Sequence, residues 1–140
     1  MFLPAREDIG ISATISITGT IFSYMTGQFD KSMEALLLMM ALDYLSGITA
    51  ACISPNQGLD SRIGLRGICK KVMILLMVAA AHFVDYAVGQ EQELVRTMVI
   101  YFFVGNEGLS ILENAASAGL PIPQKLKIRF KQLSQKEKEK

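Results

Sequence analysis

One histidine and four acidic residues lie in the apolar part of the sequence, where ionisable side chains are costly and therefore informative. His82 and Asp85 are three residues apart, so they share one helix face and could form a proton relay or a catalytic dyad. The other acids are Asp43, Glu107 and Glu113. Because no nucleophile motif and no third orienting group accompany the His82–Asp85 pair, we predict that the protein is not an enzyme.

Metal and cofactor chemistry is not indicated either. Glu107 and Glu113 are six residues apart without His or Cys partners, which is not a metal-ligand pattern. Cys52 and Cys69 lie outside any CxxC or zinc spacing and suggest small buried residues in a reducing environment. We therefore predict no catalytic residue, no metal and no cofactor.

Polar residues of the last apolar segment fall on one side of a helix, within an arc of about 60°. This stripe, called the α4 stripe below, consists of Asn106, Ser110, Glu113 and Ser117. Glu107 and Asn114 widen it on one side, and the opposite surface carries Tyr101, Leu112 and Ala115. We expect the stripe to be hidden in the monomer near Asp43, His82 and Asp85. In an assembled state it should line water, because four acids cannot be matched by one histidine.

Four runs with few charges, each about as long as a membrane-spanning helix, dominate the first 123 residues. They occupy 9–29, 35–53, 72–89 and 97–120. A spanning helix needs about 20 mostly apolar residues, and a long soluble helix would instead carry a charged outer stripe. We therefore predict an all-α polytopic membrane protein with three to four transmembrane helices, at about 9–27, 35–53, 70–89 and 97–118.

Three regions follow from this pattern: an N-terminal segment 1–8, a transmembrane domain 9–123 and a basic tail 124–140. The tail holds nine of the 27 charged residues and should begin as a short amphipathic helix. The first run is the least apolar, and no cleavable signal is apparent, so it either spans as an anchor or lies on the surface. A net charge of +1 excludes a strongly basic nucleic-acid binder.

Orientation follows from the distribution of Lys and Arg. A loop predicted to be cytoplasmic carries Arg62, Arg66, Lys70 and Lys71. The tail is also basic, whereas 27–34 and 90–96 contain more acids than basic residues. The second helix should therefore run inward, the third outward and the fourth inward, which places the C-terminus in the cytoplasm.

Small residues recur at helical spacing and predict close packing between helices in lipid. Gly19, Ser23 and Gly27 form one ladder, beside a second formed by Ser12, Ser16 and Thr20. In the next helix, Asp43 shares a face with Ser46, Gly47 and Ala50. These faces would suit association in the membrane.

Four sequence stretches together resemble the phage-lysis and toxin-secretion holin family of Gram-positive bacteria and their phages. They are DYLSGITA (43–50), LDSRIGLRGICKK (59–71), NEGLSILENAASAGLPIP (106–123) and the following KLK. They occur in the family's order and at about its spacing, across roughly residues 36–130. Any one stretch would be weak evidence, whereas the combination is specific.

The resemblance implies a multi-pass protein of the bacterial cytoplasmic membrane, the host membrane for a phage protein, that forms homo-oligomers and opens a lesion. Through the lesion an endolysin, or in some relatives a toxin, would cross without needing to bind the protein directly. The sequence alone leaves open a small ion channel or transporter, and a holin antagonist or structural membrane partner.

Overall fold

The computed structural model describes residues 6–53 and 61–135, and all regular secondary structure in this part of the chain is helical. The helices are α1 Arg6–Thr26, α2 Lys31–Ile53, α3 Ser61–Val88, α4 Leu94–Ser117 and α5 Gln124–Gln135. The predicted all-α class is confirmed. The predictions for 1–5, 54–60 and 136–140, which include the far end of the tail, lie outside the described residues.

Three of the described helices are long and apolar enough to cross a membrane. The candidate spans are Lys31–Ile53, Gly64–Val88 and Leu94–Ser117. The first helix, α1, is not among them, as its many Ser and Thr residues would suggest. The polytopic membrane protein predicted from the charge-free runs is therefore confirmed, with three candidate spans among the described residues.

The contacts between helices define how the three spans run. Asp85, near the end of α3, contacts Val95, near the start of α4. Lys71, earlier in α3, contacts Glu107, later in α4, so the two helices are antiparallel. Asp30, just before α2, contacts Arg96 near the start of α4, and Ser46, later in α2, contacts Asn114, later in α4. The two helices α2 and α4 are therefore parallel. The directions thus alternate along the chain, as three successive membrane crossings require.

A small apolar core joins the three spans. Its buried members are Met33, Leu36, Met40, Ile74, Val78 and Ile100. Most other large apolar side chains of the spans are exposed, among them Leu45, Met73 and Met98. In water such a surface would aggregate, whereas in a bilayer it contacts lipid chains.

Two helix starts are capped by carboxylates. Asp30 precedes α2 and accepts the Met33 amide at 2.8 Å and the Ser32 hydroxyl at 2.7 Å. Asp85, which belongs to α3, accepts the amides of Val95 and Arg96 at 3.0 and 2.8 Å. A side chain from the neighbouring helix thus satisfies N–H groups that have no partner within α4.

The first part of α1 is exposed on every side from Gly10 to Ile21. Its hydroxyl groups bond to the carbonyl four residues earlier, as Thr14 does to Gly10 at 2.9 Å and Thr20 to Ser16 at 2.8 Å. These bonds satisfy the hydroxyls without water. α1 is therefore a helix, as predicted, but it does not join the core before its last turns.

One boundary differs substantially from the prediction. The sequence predicts a third helix from about residue 70, but α3 begins at Ser61. The expected basic loop, Arg62, Arg66, Lys70 and Lys71, therefore lies on a helix; the side chain of Arg62 lies outside the described ones. Lys and Arg are good helix formers, so a cluster of them marks the end of an apolar run without ending the helix.

The remaining boundaries lie close to the predicted ones. α2 begins four residues before the predicted 35, because Asp30 caps it, and ends at Ile53. α4 runs from Leu94 rather than 97 and ends one residue before the predicted 118. Gly27, Gly89 and Gly119 follow α1, α3 and α4 with positive φ, a common way to end a helix.

Candidate intramembrane polar site

A lysine bridges two acids between the three spans. The Lys71 Nζ on α3 lies 2.7 Å from Asp43 Oδ2 on α2 and 2.6 Å from Glu107 Oε2 on α4. The Glu107 side chain is fully buried, and those of Lys71 and Asp43 are 15% and 14% exposed. Both contacts have the short length of charge-assisted hydrogen bonds.

An asparagine extends this group towards α2. The Asn114 amide donates to the Ser46 hydroxyl at 2.9 Å and to Asp43 Oδ1 at 3.3 Å. Gly47 lies beside it, because a Cβ there would be at an ordinary contact distance of 3.5 Å from Asn114 Nδ2. Asp43, Lys71, Glu107, Asn114 and Ser46 are called the central cluster below.

The central cluster lies far from both ends of the spans. Asp43 follows Lys31, the first residue of α2, by twelve residues, or about 18 Å at 1.5 Å per residue. Glu107 follows Leu94 by thirteen residues, or about 20 Å. The apolar layer of a bilayer is about 30 Å thick, so these charges lie near its middle if the helices cross it. Their mutual pairing then lowers the cost of burial.

This pairing corrects the expected balance of intramembrane charge. The sequence predicts one intramembrane base, His82, for four acids and predicts a loop at Lys71. Lys71 instead lies on α3 and pairs with both Asp43 and Glu107, which offsets one of their two negative charges, and Arg96 is a further cation that is fully buried. The signal that could have located Lys71 was the excess of acids itself, because buried carboxylates need a cation or donors.

The buried Arg96 ties the turn before α2 to the start of α4. Its guanidinium donates to the carbonyls of Thr26 and Gln28, to Asp30 Oδ2 at 2.8 Å and to Glu93 Oε2 at 3.1 Å. The side chain is fully buried. Arg96, Glu93, Asp30, His82 and Asp85 are called the Arg96 junction below.

Gly27 makes the close approach of Arg96 possible. It has φ +83°, and a Cβ on it would lie 2.7 Å from Arg96 Nε and 2.9 Å from Glu93 Oε1. An L-residue is strained at this φ. The spacing of Gly27 with Gly19 and Ser23 predicts a packing role, and the structure places Gly27 against the side chains of Arg96 and Glu93 at the start of α4.

His82 and Asp85 do not pair with each other as predicted. His82 Nδ1 lies 2.9 Å from Glu93 Oε1, although this approach lacks the geometry of a hydrogen bond. Asp85 instead accepts the two α4 amides described above. Unsatisfied N–H groups at a helix start attract a carboxylate more strongly than a neighbouring imidazole does. Asp85 therefore binds the start of α4, although its spacing in α3 would also allow a contact with His82.

At the Arg96 junction, the pKa of Asp30 is shifted. Burial raises it, but hydrogen bonds from Arg96, the Met33 amide and Ser32 outweigh burial, and together they lower the pKa from 3.8 to about 2. Asp30 therefore stays ionised and paired with Arg96 at all ordinary pH values.

The α4 stripe is only partly hidden in the monomer. Asn106 and Ser110 are half-buried, and Ser110 interacts with Asp43. Glu113 and Ser117 are exposed, and the Ser117 hydroxyl donates to the Glu113 carbonyl at 2.9 Å. The expectation that the whole stripe faces α2 and α3 is wrong, because the buried polar side of α4 is centred on Glu107 and Asn114.

The small residues predicted to pack differ in their surroundings. Ala50 is buried and Gly47 half-buried beside α4. Ser23 is half-buried, and its hydroxyl donates to the Gly27 carbonyl at 3.3 Å. A Cβ on Gly19 would meet nothing within 4 Å. Within one chain, the small residues of α2 therefore pack, whereas Gly19 borders open space.

Comparison with known proteins finds a family that matches most of the chain. The family model described as "Bacteriophage holin family" matches residues 20–135, which include all three spans and α5. No solved structure matches the chain. The matched region contains the central cluster and the Arg96 junction.

Individual relatives agree with the family match. An uncharacterised 14.9 kDa protein in the nagH 3′ region of Clostridium perfringens is 44% identical over 118 residues, 84% of this chain and 88% of that protein. An uncharacterised Listeria monocytogenes protein is 38% identical over 109 residues, 78% and 76% of the two chains. A protein of Bacillus phage phi105, named a probable holin, is 31% identical over 101 residues, 72% of each chain. The chain belongs to the bacteriophage holin family.

Proposed function

We propose that this protein assembles with copies of itself in the bacterial cytoplasmic membrane and opens a lesion large enough for a folded protein. The observation that carries the proposal is the central cluster, in a chain that belongs to the holin family. A lesion-forming protein must hide polar groups while it is closed and expose them to water when it opens. The central cluster meets both needs.

The closed state corresponds to the three-span bundle. Lys71 pairs with one acid from the helix on either side, so each charged side chain of the cluster has a partner of opposite sign, and the three groups together carry one negative charge. Glu107 Oε1 has no hydrogen-bond partner among the described residues. In the open state the same side chains would be hydrated by the water that fills the lesion. The polar residues proposed to line water are Asp43, Glu107, Ser110 and Asn114, with Lys71 added.

The molecule that passes is an endolysin in phage lysis or a toxin in toxin release, and neither needs a binding site on this chain. We propose that the protein has no catalysis of its own and that its direct partners are lipids and its own copies. The names of the relatives do not distinguish an endolysin from a toxin as the molecule that passes, because one relative is named a probable holin and others are uncharacterised.

We also propose an orientation with the C-terminus in the cytoplasm. The start of α3 carries Arg66 and Lys70 at its exposed surface, and α5 carries Lys125, Lys127 and Arg129. Both regions lie at the same end of the antiparallel α3–α4 pair. Arg66 and Lys70 lie in the first two turns of the candidate span Gly64–Val88, and basic residues at or near the end of a span favour the cytoplasmic side.

Expression in a bacterium tests the function. After a delay, growth should stop and the membrane potential should collapse, and co-expressed endolysin should then lyse the cells. Retention of the membrane potential at high levels of membrane-inserted protein would reject the proposal.

A small ion channel is the second candidate, favoured by paired charges at mid-span. An ion channel would pass only ions, whereas the proposed lesion would also pass a folded protein. Selective and saturable ion flux without passage of any folded protein would favour the channel.

A further inference from the structure

Two exposed and oppositely charged residues lie at the same level on neighbouring spans. Arg66 on α3 and Glu113 on α4 both have exposed side chains. Among residues 6–53 and 61–135, neither takes part in an ion pair. A charge on the outer surface of a spanning helix is costly unless it reaches water or a partner.

The levels of these two residues follow from the central cluster. Lys71 contacts Glu107 directly, which fixes the register of the antiparallel pair. Arg66 precedes Lys71 by five residues, about 7.5 Å along α3, and Glu113 follows Glu107 by six residues, about 9 Å along α4. Both displacements point towards the same end of the pair. Arg66 and Glu113 therefore differ in depth by only about 1.5 Å.

Their directions leave them free to meet another molecule. On α3 the buried residues Ile74, Val78, Ala79, Ala81 and Asp85 mark the packed face, and Arg66 lies about 60–140° away from them around the helix. On α4 Glu107 and Ile100 mark the packed face, and Glu113 lies about 120–140° away. Each residue thus points outward from the bundle.

We propose that Arg66 of one copy pairs with Glu113 of the next, so that the α3 face of each protein docks on the α4 face of its neighbour. This inference rests on the proposed assembly of copies and names the surface that makes it. The occupant is a second copy because the two faces are complementary in charge and equal in depth.

Such a contact joins two different surfaces and is therefore head-to-tail. Repetition of a head-to-tail contact closes into a ring when the rotation between copies allows it. Because the contact uses the outer faces of α3 and α4, it leaves the central cluster inside each protein. Docking between copies and hydration of the cluster are then separate steps.

Charge reversal in separate chains tests the pairing. Arg66→Glu places two acids at the contact, and Glu113→Arg places two cations there, so each variant should weaken association about tenfold per contact. Each should therefore delay or block collapse of the membrane potential at equal membrane amounts. Co-expression of the two variants should restore wild-type timing, because every contact between alternating copies then joins one acid to one cation.

The outcomes are distinct. Wild-type timing of both single variants overturns the inference. Rescue by the double variant in one chain, without rescue by co-expression, also overturns it, because it indicates a pair within one molecule. Failure of both rescues overturns it as well. Lys125→Glu, which makes the same change of charge outside the spans, should act as wild type and should not rescue Glu113→Arg.

Cross-linking gives a readout that does not depend on lysis. With Cys52 and Cys69 replaced by Ser, chains carrying Arg66→Cys and chains carrying Glu113→Cys with a different tag should form mixed disulfide dimers on oxidation. Met77→Cys is the control: Met77 is 47% exposed on α3 but lies eleven residues, about 16 Å, from Arg66. It should not cross-link to Glu113→Cys.

The two proposals can fail separately. If wild-type protein collapses the membrane potential but the mixed dimer does not form, only the pairing of Arg66 with Glu113 is wrong. If the mixed dimer forms but the membrane potential persists, the proposal of a lesion is wrong and the proposed contact between Arg66 and Glu113 is supported.

Discussion

The Lys71 ammonium donates to the Glu107 carboxylate at 2.6 Å and so joins α3 to α4 at the middle of the spans. The same ammonium reaches Asp43 of α2 at 2.7 Å. One side chain therefore links the three candidate spans α2, α3 and α4.

Removal of the bridging ammonium should destabilise the bundle strongly. Lys71→Met leaves Asp43 and Glu107 buried without a cation, which costs about 3–5 kcal/mol for a buried pair that loses one partner. Thermal unfolding of the purified protein in detergent, followed by circular dichroism, measures the loss.

Two controls isolate the charge. Lys70→Met removes an exposed lysine on the same helix and should cost less than about 1 kcal/mol. The triple variant Asp43→Asn, Lys71→Met, Glu107→Gln has no charge in the central cluster and should recover most of the stability. A triple variant no more stable than Lys71→Met alone would show that shape, rather than charge, explains the loss.

Replacement of Gly27 should be costly for two reasons. Gly27→Ala forces an L-residue into a left-handed backbone, at about 1–2 kcal/mol, and places a Cβ against Arg96 and Glu93. Gly89→Ala is the matched control, because Gly89 has φ +71° but nothing within 4 Å of its Cβ. Thermal unfolding in detergent should show the larger loss for Gly27→Ala. Equal losses would mean that the contact with Arg96 contributes nothing.

The Arg96 junction should respond to acid. Because the folded protein lowers the pKa of Asp30 from 3.8 to about 2, its contribution to stability is present above about pH 4 and is lost as the pH falls through about 2. Asp30→Asn should remove this component, so the stability difference between wild type and variant should shrink between about pH 5 and pH 2. Unfolding midpoints measured in detergent at several pH values test it, and a constant difference would contradict it.

Cysteine labelling tests the orientation. With the two native cysteines replaced, a membrane-impermeant thiol reagent added to intact cells should not modify Ser61→Cys, at the start of α3, and should modify Gln92→Cys, in the loop before α4. Labelling of Ser61→Cys from outside would reverse the topology. Phe2→Cys then decides whether α1 spans: it is protected if α1 crosses the membrane and labelled if it does not.

The helices were predictable because their signals are local. Runs without charge located α2 and α4 to within a few residues, and Asp30 explains why α2 begins earlier than the apolar run. The start of α3 was not predictable from charge, because Arg66, Lys70 and Lys71 continue the helix. A break in hydropathy marks a change of environment and need not mark the end of a helix.

The central cluster was only partly predictable because it depends on tertiary contacts. Asp43 and Glu107 stood out as costly acids, and the face shared by Asp43, Ser46 and Gly47 was visible from spacing. The partner, Lys71, lies 28 residues from Asp43 and 36 from Glu107. No local sequence pattern predicts that Lys71 contacts these two acids in the folded protein. Helical spacing likewise grouped Glu113 with Asn106, although burial separates them.

The most direct test of the proposed lesion uses purified protein in liposomes that contain both a small dye and a folded protein of endolysin size. We expect release of both after assembly, and loss of release in Arg66→Glu and Glu113→Arg that is restored when the two variants are mixed. Release of ions or dye alone, with the folded protein fully retained at any amount of inserted wild-type protein, would contradict the proposed function.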